Sequence, residues 1–106
     1  MTYLSEFPDF DYDLPVIRGF HDDSWHNDVC PSLSCTLQYH TIHGDFDGAT
    51  IKVWCDYADP KRRESMTARR YTIVLTMPLA DENVEIAASD DWQTILIALR
   101  ALRWLD

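Results

Sequence analysis

The change of hydrophobic period along the chain constrains its fold more than any other feature. Residues 69–77 alternate apolar and polar side chains, which is the period of a strand with one buried face. After residue 90 the spacing becomes helical, with one apolar stripe formed by Trp92, Ile95, Leu96, Leu99 and Leu102. A chain that carries both periods can bury the helix stripe on the apolar face of a sheet.

Three other segments are predicted to be strands that pair with residues 69–77. They are rich in β-forming side chains and cover residues 34–42, 49–57 and 84–88. Glycine, aspartate and asparagine between them favour turns at residues 43–48 and 80–83, and residues 58–65 form a polar loop. Within the second segment, the polar face is predicted to carry Lys52, Trp54 and Asp56.

The whole chain is therefore predicted to be one α+β domain, residues 1–106. An antiparallel sheet of about four strands within residues 33–88 is expected to pack against a C-terminal α-helix over residues 90–105. Ser89 or Asp90 is the expected N-cap of that helix, and Asp90 with Gln93 has the spacing of a capping box. Residues 1–32 show no regular period and are expected to form an irregular acidic arm, held to the sheet by its aromatic side chains.

Charge is distributed unevenly along the chain. The formal net charge is −9, and residues 1–28 hold seven acidic side chains against Arg18 alone, whereas residues 61–70 hold five basic side chains against Glu64. Such a field repels nucleic-acid phosphate and attracts basic proteins. We therefore expect no direct binding of nucleic acid. The alternative is that acidity only keeps the protein soluble.

The sequence also favours a cytoplasmic location. It has no apolar run long enough to cross a membrane, and its acidic start is unlike a signal peptide. The three cysteines, an odd number, cannot all pair within the chain, which is typical of a reducing compartment. No membrane partner is expected.

Residues 19–32, "GFHDDSWHNDVCPS", concentrate side chains that could carry chemistry. His21, His26, Cys30 and Cys35 are possible zinc ligands, but their spacing matches no known ligand template. Cys30 or Ser24 could act as a nucleophile with His26, but triads assemble from distant loops and the chain has few glycines to shape an oxyanion site. Phosphate-binding glycine motifs are also missing. The sequence therefore predicts no cofactor, no metal and no catalytic residues.

Four segments of the chain resemble immunity proteins of bacterial contact-dependent growth inhibition systems. The resemblance is carried by "SWHNDVCP" at residues 24–31, by Asp56-Tyr57 with Arg63-Glu64 downstream, by "RRYTIVLT" at residues 69–76 and by "SDDWQTILIALR" at residues 89–100. It spans about residues 14–102. It implies a small protein that binds the C-terminal toxin domain delivered by a neighbouring cell, often a nuclease directed at tRNA or other RNA, and neutralises it.

The charge pattern agrees with that implication, because a nuclease cleft is basic and an acidic protein can occlude it. The expected partner-binding residues are Asp22, Asp23, Trp25, His26, Asp28 and Trp54. Two alternatives stay open for these residues. Ser24, Asn27 and Asp28 could bond local backbone while Trp25 and Trp54 close the core edge. The chain could also be another acidic binding module, such as a phage-encoded nucleic-acid mimic acting on a defence complex.

Overall fold

The computed structural model describes residues 2–36, 40–41, 44–45, 49–77 and 82–101. In chain order, the elements are helix α1 (Tyr3–Glu6), strands β1 (His21–Asp22), β2 (Ser32–Thr36), β3 (His40–Thr41), β4 (Gly44–Asp45) and β5 (Thr50–Cys55), a 3₁₀ turn (Pro60–Arg62), strands β6 (Tyr71–Met77) and β7 (Glu82–Ser89), and helix α2 (Trp92–Ala101). None of the helices in these ranges is long and apolar enough to cross a membrane.

Five of the strands form one antiparallel sheet in the order β1-β2-β5-β6-β7. The remaining two, β3 and β4, pair with each other in a separate ladder. The predicted α+β fold, with an antiparallel sheet packed against a C-terminal helix, is confirmed. The sheet has one strand more than the four expected, because the arm contributes β1 at its edge.

The hydrophobic core lies on one face of this sheet. Alternation along β5 buries Ile51, Val53 and Cys55 completely, and Ile73 of β6 lies beside them. Helix α2 places Ile95 and Leu99 on the same cluster, as the predicted stripe requires, and the arm adds Leu14 and Ile17. Burying each aliphatic side chain of this kind stabilises the fold by about 1.5–3 kcal/mol. The opposite face of the sheet points away from helix α2. Arm residues cover it at β2, where Ser32 and Ser34 are buried, and two clefts open on it over β5, β6 and β7.

The arm is more regular than its composition suggests. It begins with α1, which is capped by a reciprocal pair of hydrogen bonds between Thr2 and Ser5. The arm ends in β1, which pairs with β2 through His21 opposite Ser34. The expectation of an irregular segment over residues 1–32 is therefore wrong at both ends. Its aromatic side chains do hold it to the sheet, since Phe7 is buried and Phe10, Tyr12 and Phe20 pack on the core.

Several element boundaries differ from the predicted ones. β4 falls inside the turn expected at residues 43–48, and β7 begins at Glu82, inside the turn expected at 80–83. Strand β2 ends at Thr36. Residues 37–39 and 42 of the predicted strand over 34–42, residues 43 and 46–48 of the predicted turn, and residues 102–105 of the predicted helix over 90–105 lie outside the described ranges.

The end of β5 and the start of α2 also depart from the prediction. β5 ends at Cys55, so Asp56 lies beyond the strand and is buried, with 7% exposure, instead of facing solvent beside Trp54. Helix α2 is capped by Asp91, whose carboxylate accepts hydrogen bonds from the Gln93 N–H at 3.1 Å and the Thr94 hydroxyl at 3.2 Å. Neither expected cap, Ser89 or Asp90, plays that part.

Candidate functional site

The open face of the sheet is the candidate site, and strand register determines what it presents. Lys52 of β5 lies opposite Val74 of β6, which lies opposite Glu85 of β7. The next row along the strands is Trp54, Thr72 and Ala88. Because opposite residues in an antiparallel sheet point to the same side, these side chains share the face that helix α2 does not cover. A tryptophan thus lies in the middle of a mostly polar surface.

A cleft of about 740 Å³ opens on this face beside Trp54. We call it the acidic cleft. One wall is residues 27–30, from the "SWHNDVCP" string, and the other is the loop residues Glu64 and 67–69. Its floor is formed by Trp54, Thr72, Glu85 and Ala88. The cleft thus lies between the two segments that the sequence singles out, one acidic and one basic.

Carboxylates dominate the lining of the cleft. The four acidic side chains are Asp28, Asp56, Glu64 and Glu85, and the one basic side chain among the lining residues is Arg69. Arg69 is mostly exposed and lies 3.7 Å from a carboxylate oxygen of Asp90, which is outside the cleft lining. The cleft therefore presents net negative charge to solvent, which attracts a cationic partner.

Arg63 holds the basic loop that forms the second wall. Its side chain is only 6% exposed and donates hydrogen bonds to three backbone carbonyls, those of Tyr57, Ala58 and Ala68. These carbonyls belong to both ends of the loop, so one guanidinium closes it. Residues 58–65 were expected to form a polar loop, and within it the side chain of Arg63 is turned away from solvent.

Carboxylates of the arm bond to another arginine and to backbone N–H groups of this loop. Asp9 accepts a hydrogen bond from Arg62 at 2.7 Å, and Asp11 accepts from the backbone N–H groups of Ala58 and Asp59 at 2.9 Å each. Although partial burial works to raise it, these two N–H donors hold the pKa of Asp11 below its ordinary value. Arg70 stacks on the Tyr12 ring at 3.9 Å. The arm acids thus organise the fold around the basic loop.

The structure separates the six predicted partner-binding residues into two groups. Trp54 and Asp28 line the acidic cleft. Asp23 lines a second, smaller cleft of about 570 Å³ on the other side of Trp54, where its carboxylate pairs with Lys52 at 3.1 Å. These three residues share the open face.

The other three predicted residues lie outside both clefts. Asp22 accepts hydrogen bonds from the backbone N–H groups of Tyr3, at 2.6 Å, and Ser24, at 3.0 Å, so its carboxylate joins the arm to β1. His26 lies 3.2 Å from a carboxylate oxygen of Glu6 in α1. Trp25 is 41% exposed, with its ring 4.2 Å from that of His26, so it does not close the core.

Burial of the cleft's deeper groups affects their protonation. Desolvation raises the pKa of the Asp56 carboxyl above its ordinary value, against the opposing effect of hydrogen bonds from the Tyr57 and Glu64 backbone. Desolvation also raises the pKa of the Cys30 thiol far above its usual range, helped by the nearby negative charge of Asp56. A thiol in that setting stays protonated at neutral pH, whereas a nucleophilic cysteine needs a lowered pKa.

The possible metal ligands are dispersed. His21 lies 3.2 Å from the Ser34 hydroxyl, His26 pairs with Glu6, Cys30 is buried at the cleft, and Cys35 packs against the core. In the part of the chain whose side chains are described, no group of three or more histidine, cysteine or acidic residues is arranged to hold a metal ion.

Sequence reasoning missed the acidic residues contributed from the far side of the cleft. Glu85 could have been found from the alternation within β7, which predicts that it faces away from the core. Glu64 could not, because it lies in an irregular loop whose shape depends on Arg63. Asp56 was expected on the exposed polar face at the end of β5, but it directly follows the strand and is buried.

Comparisons with protein-family models, curated proteins and solved structures found no match for this chain.

Proposed function

We propose that this protein is an immunity protein that binds a cognate basic toxin domain, a nuclease, and neutralises it by occluding its active site. The observation that carries the proposal is the acidic cleft on the sheet face that helix α2 does not cover. Four carboxylates line it against one arginine, and an aromatic side chain forms part of its floor. Aromatic anchors surrounded by complementary charge are typical of protein interfaces.

Charge complementarity selects the class of partner. A nuclease binds the phosphate backbone and so carries a basic cleft, which an acidic surface can cover. Association between such surfaces is steered by their long-range attraction, so inhibition is fast. Val29, an apolar side chain of the first wall, is 52% exposed and adds contact area. The inhibitor performs no reaction in this proposal and acts in the cytoplasm, where the toxin's RNA substrate lies.

The direct test is protection from the toxin. The protein encoded next to this one is expressed in a bacterial host with and without this chain, and growth is followed. We expect growth to stop with the neighbouring protein alone and to continue when both are present. The purified pair should form a one-to-one complex that no longer cleaves RNA.

Charge-reversal variants on the open face test whether the acidic cleft is the surface that binds the partner. Replacing Asp28 and Glu85 by lysine should weaken the complex by at least tenfold, because each change places like charge against a basic partner. Replacing Glu82 and Asp13 by lysine is the matched control, since neither residue lines either cleft. If the neighbouring protein is not toxic, or if both pairs of changes act equally, the proposal is wrong. Binding of a DNA-binding defence protein instead would favour a nucleic-acid mimic.

A further inference from the structure

The two clefts on the open face differ in one respect that points to a ligand. In the smaller cleft the chain supplies its own cation: Lys52 lies 4.8 Å above the Trp54 ring and 3.1 Å from the Asp23 carboxylate. The ammonium is therefore held by an aromatic face and an acid together. Stacking of a cation on an aromatic ring contributes about 0.5–2 kcal/mol, depending on how far it is desolvated.

The acidic cleft offers the same combination of groups. Trp54 belongs to the lining of both clefts, and the carboxylates of Asp28, Glu64 and Glu85 line the larger one. The basic group among its lining residues, Arg69, is mostly exposed and directed to Asp90. Within the described side chains, the acidic cleft thus has the aromatic ring and the acids of the smaller cleft but no counterpart of Lys52.

We infer that the acidic cleft takes an arginine-bearing loop of the partner, with one guanidinium lying on the Trp54 ring and pairing with the surrounding carboxylates. This inference rests on the proposed function and specifies how the partner is held. A volume of about 740 Å³ is in the range of ligand-binding clefts and accommodates several side chains.

Two observations select an arginine over other cations. The carboxylates lie on both walls and the floor of the cleft, and no group of three in the described chain converges as a metal ion requires. A planar guanidinium can stack on the ring and bond two carboxylate oxygens at once, whereas a lysine ammonium is a compact and strongly hydrated point charge. Arginine is therefore the better occupant of a cleft with an aromatic floor and separated acids.

The test uses two fluorescein-labelled peptides, hexaarginine and hexalysine, and measures their dissociation constants by fluorescence anisotropy. We expect hexaarginine to bind about three to ten times more tightly, as one stacked guanidinium would give. Glu85→Gln should weaken hexaarginine binding about two- to fivefold. Glu82→Gln removes the same charge from the same strand but outside the cleft, and should leave the binding of hexaarginine nearly unchanged.

Trp54→Leu should reduce the preference for arginine to near unity, while Trp54→Phe retains part of it. Circular dichroism and the urea midpoint show whether each variant folds, and the Glu85 and Glu82 pair decides the question if Trp54→Leu does not. Equal binding of the two peptides to the wild-type protein, or equal effects of Glu85→Gln and Glu82→Gln, would overturn the inference. Either result leaves the toxin-protection experiment unaffected, so failure here is distinct from failure of the proposed function.

Discussion

Arg63 shows how one side chain can determine the shape of a site that it does not line. Its guanidinium bonds the carbonyls of Tyr57, Ala58 and Ala68 and lies 3.4 Å from the Asp90 carboxylate. The loop between these carbonyls supplies the second wall of the acidic cleft. Composition alone places all five basic residues of this region in solvent, so the sequence does not reveal which of them is buried.

Arg63→Ala should destabilise the protein by about 2–4 kcal/mol, because it leaves partly buried carbonyls without a donor. The urea midpoint, with the slope m unchanged, measures this loss. Lys61→Ala is the control, since Lys61 is an exposed basic residue of the same loop. Equal midpoints for the two variants would show that the Arg63 bonds contribute nothing to stability.

The Asp90 carboxyl makes the stability of the fold depend on pH in the acidic range. The hydrogen bond from the Arg70 N–H, at 2.8 Å, and the nearby guanidinium groups of Arg63 and Arg69 hold the pKa of its carboxyl below the ordinary value of 3.8. A carboxyl whose pKa is lowered on folding stabilises the protein above its unfolded pKa and loses that effect as the pH falls through the folded value.

Asp90→Asn should therefore cost stability near neutral pH and cost less as the pH falls below about 4. The amide oxygen can still accept from Arg70, so the change removes mainly the charge. Urea unfolding of both proteins at several pH values between 7 and 3 measures the difference. A difference that stays constant across this range would contradict the assignment.

At the scale of elements, the hydrophobic period predicts which strands and helices form better than it predicts where they begin and end. The alternation in β5 and β6 and the apolar stripe of α2 were sufficient to predict the sheet, its buried face and the helix that covers it. Strand β1 could not be predicted, because two residues are too short to show a period and their pairing depends on β2. The acidic cleft itself was not predicted, although Trp54 and Asp28 of its lining were expected to bind a partner, since its walls come from irregular segments whose positions are set by long-range contacts.

The N-cap of helix α2 lies one or two residues after the positions expected from the sequence. Ser89, Asp90 and Asp91 are all good N-caps, and only the three-dimensional contacts distinguish them. Asp90 bonds the Arg70 backbone, which leaves the cap to Asp91, and the Ser89 hydroxyl accepts from the Asp91 N–H at 3.0 Å. A capping box between Asp90 and Gln93 is therefore excluded.

Asp91→Ala should destabilise the protein by about 1 kcal/mol, the usual cost of losing an N-cap. Gln93→Ala tests the alternative, because a capping box would make it costly, whereas alanine is otherwise a better helix former than glutamine. Chemical denaturation measures the effect of both substitutions on stability. Amide exchange at Gln93, whose N–H bonds the Asp91 carboxylate, shows whether the first acts at the cap. A larger loss for Gln93→Ala than for Asp91→Ala would restore the capping box.

At the scale of the whole molecule, the position of charge matters more than its sum. The net charge of −9 includes arm carboxylates that are bonded within the fold, such as Asp9 and Asp11. In the acidic cleft, by contrast, Glu64 and Glu85 are exposed on the sheet face that helix α2 does not cover, with Asp28 of the arm beside them. Two proteins of equal net charge could therefore differ greatly in the field that a partner meets.

Two double variants of identical net charge test this difference through the rate of association with the toxin domain. Glu64→Lys with Glu85→Lys reverses two charges at the cleft, and Asp13→Lys with Glu82→Lys reverses two at exposed positions away from it. If the cleft steers the encounter, the first pair should lower the association rate constant by about tenfold or more at low salt, and the second pair much less. The gap between the two should narrow as added salt screens the charges. Stopped-flow fluorescence at several salt concentrations measures these rates, and an equal slowing by both pairs would mean that net charge alone governs association.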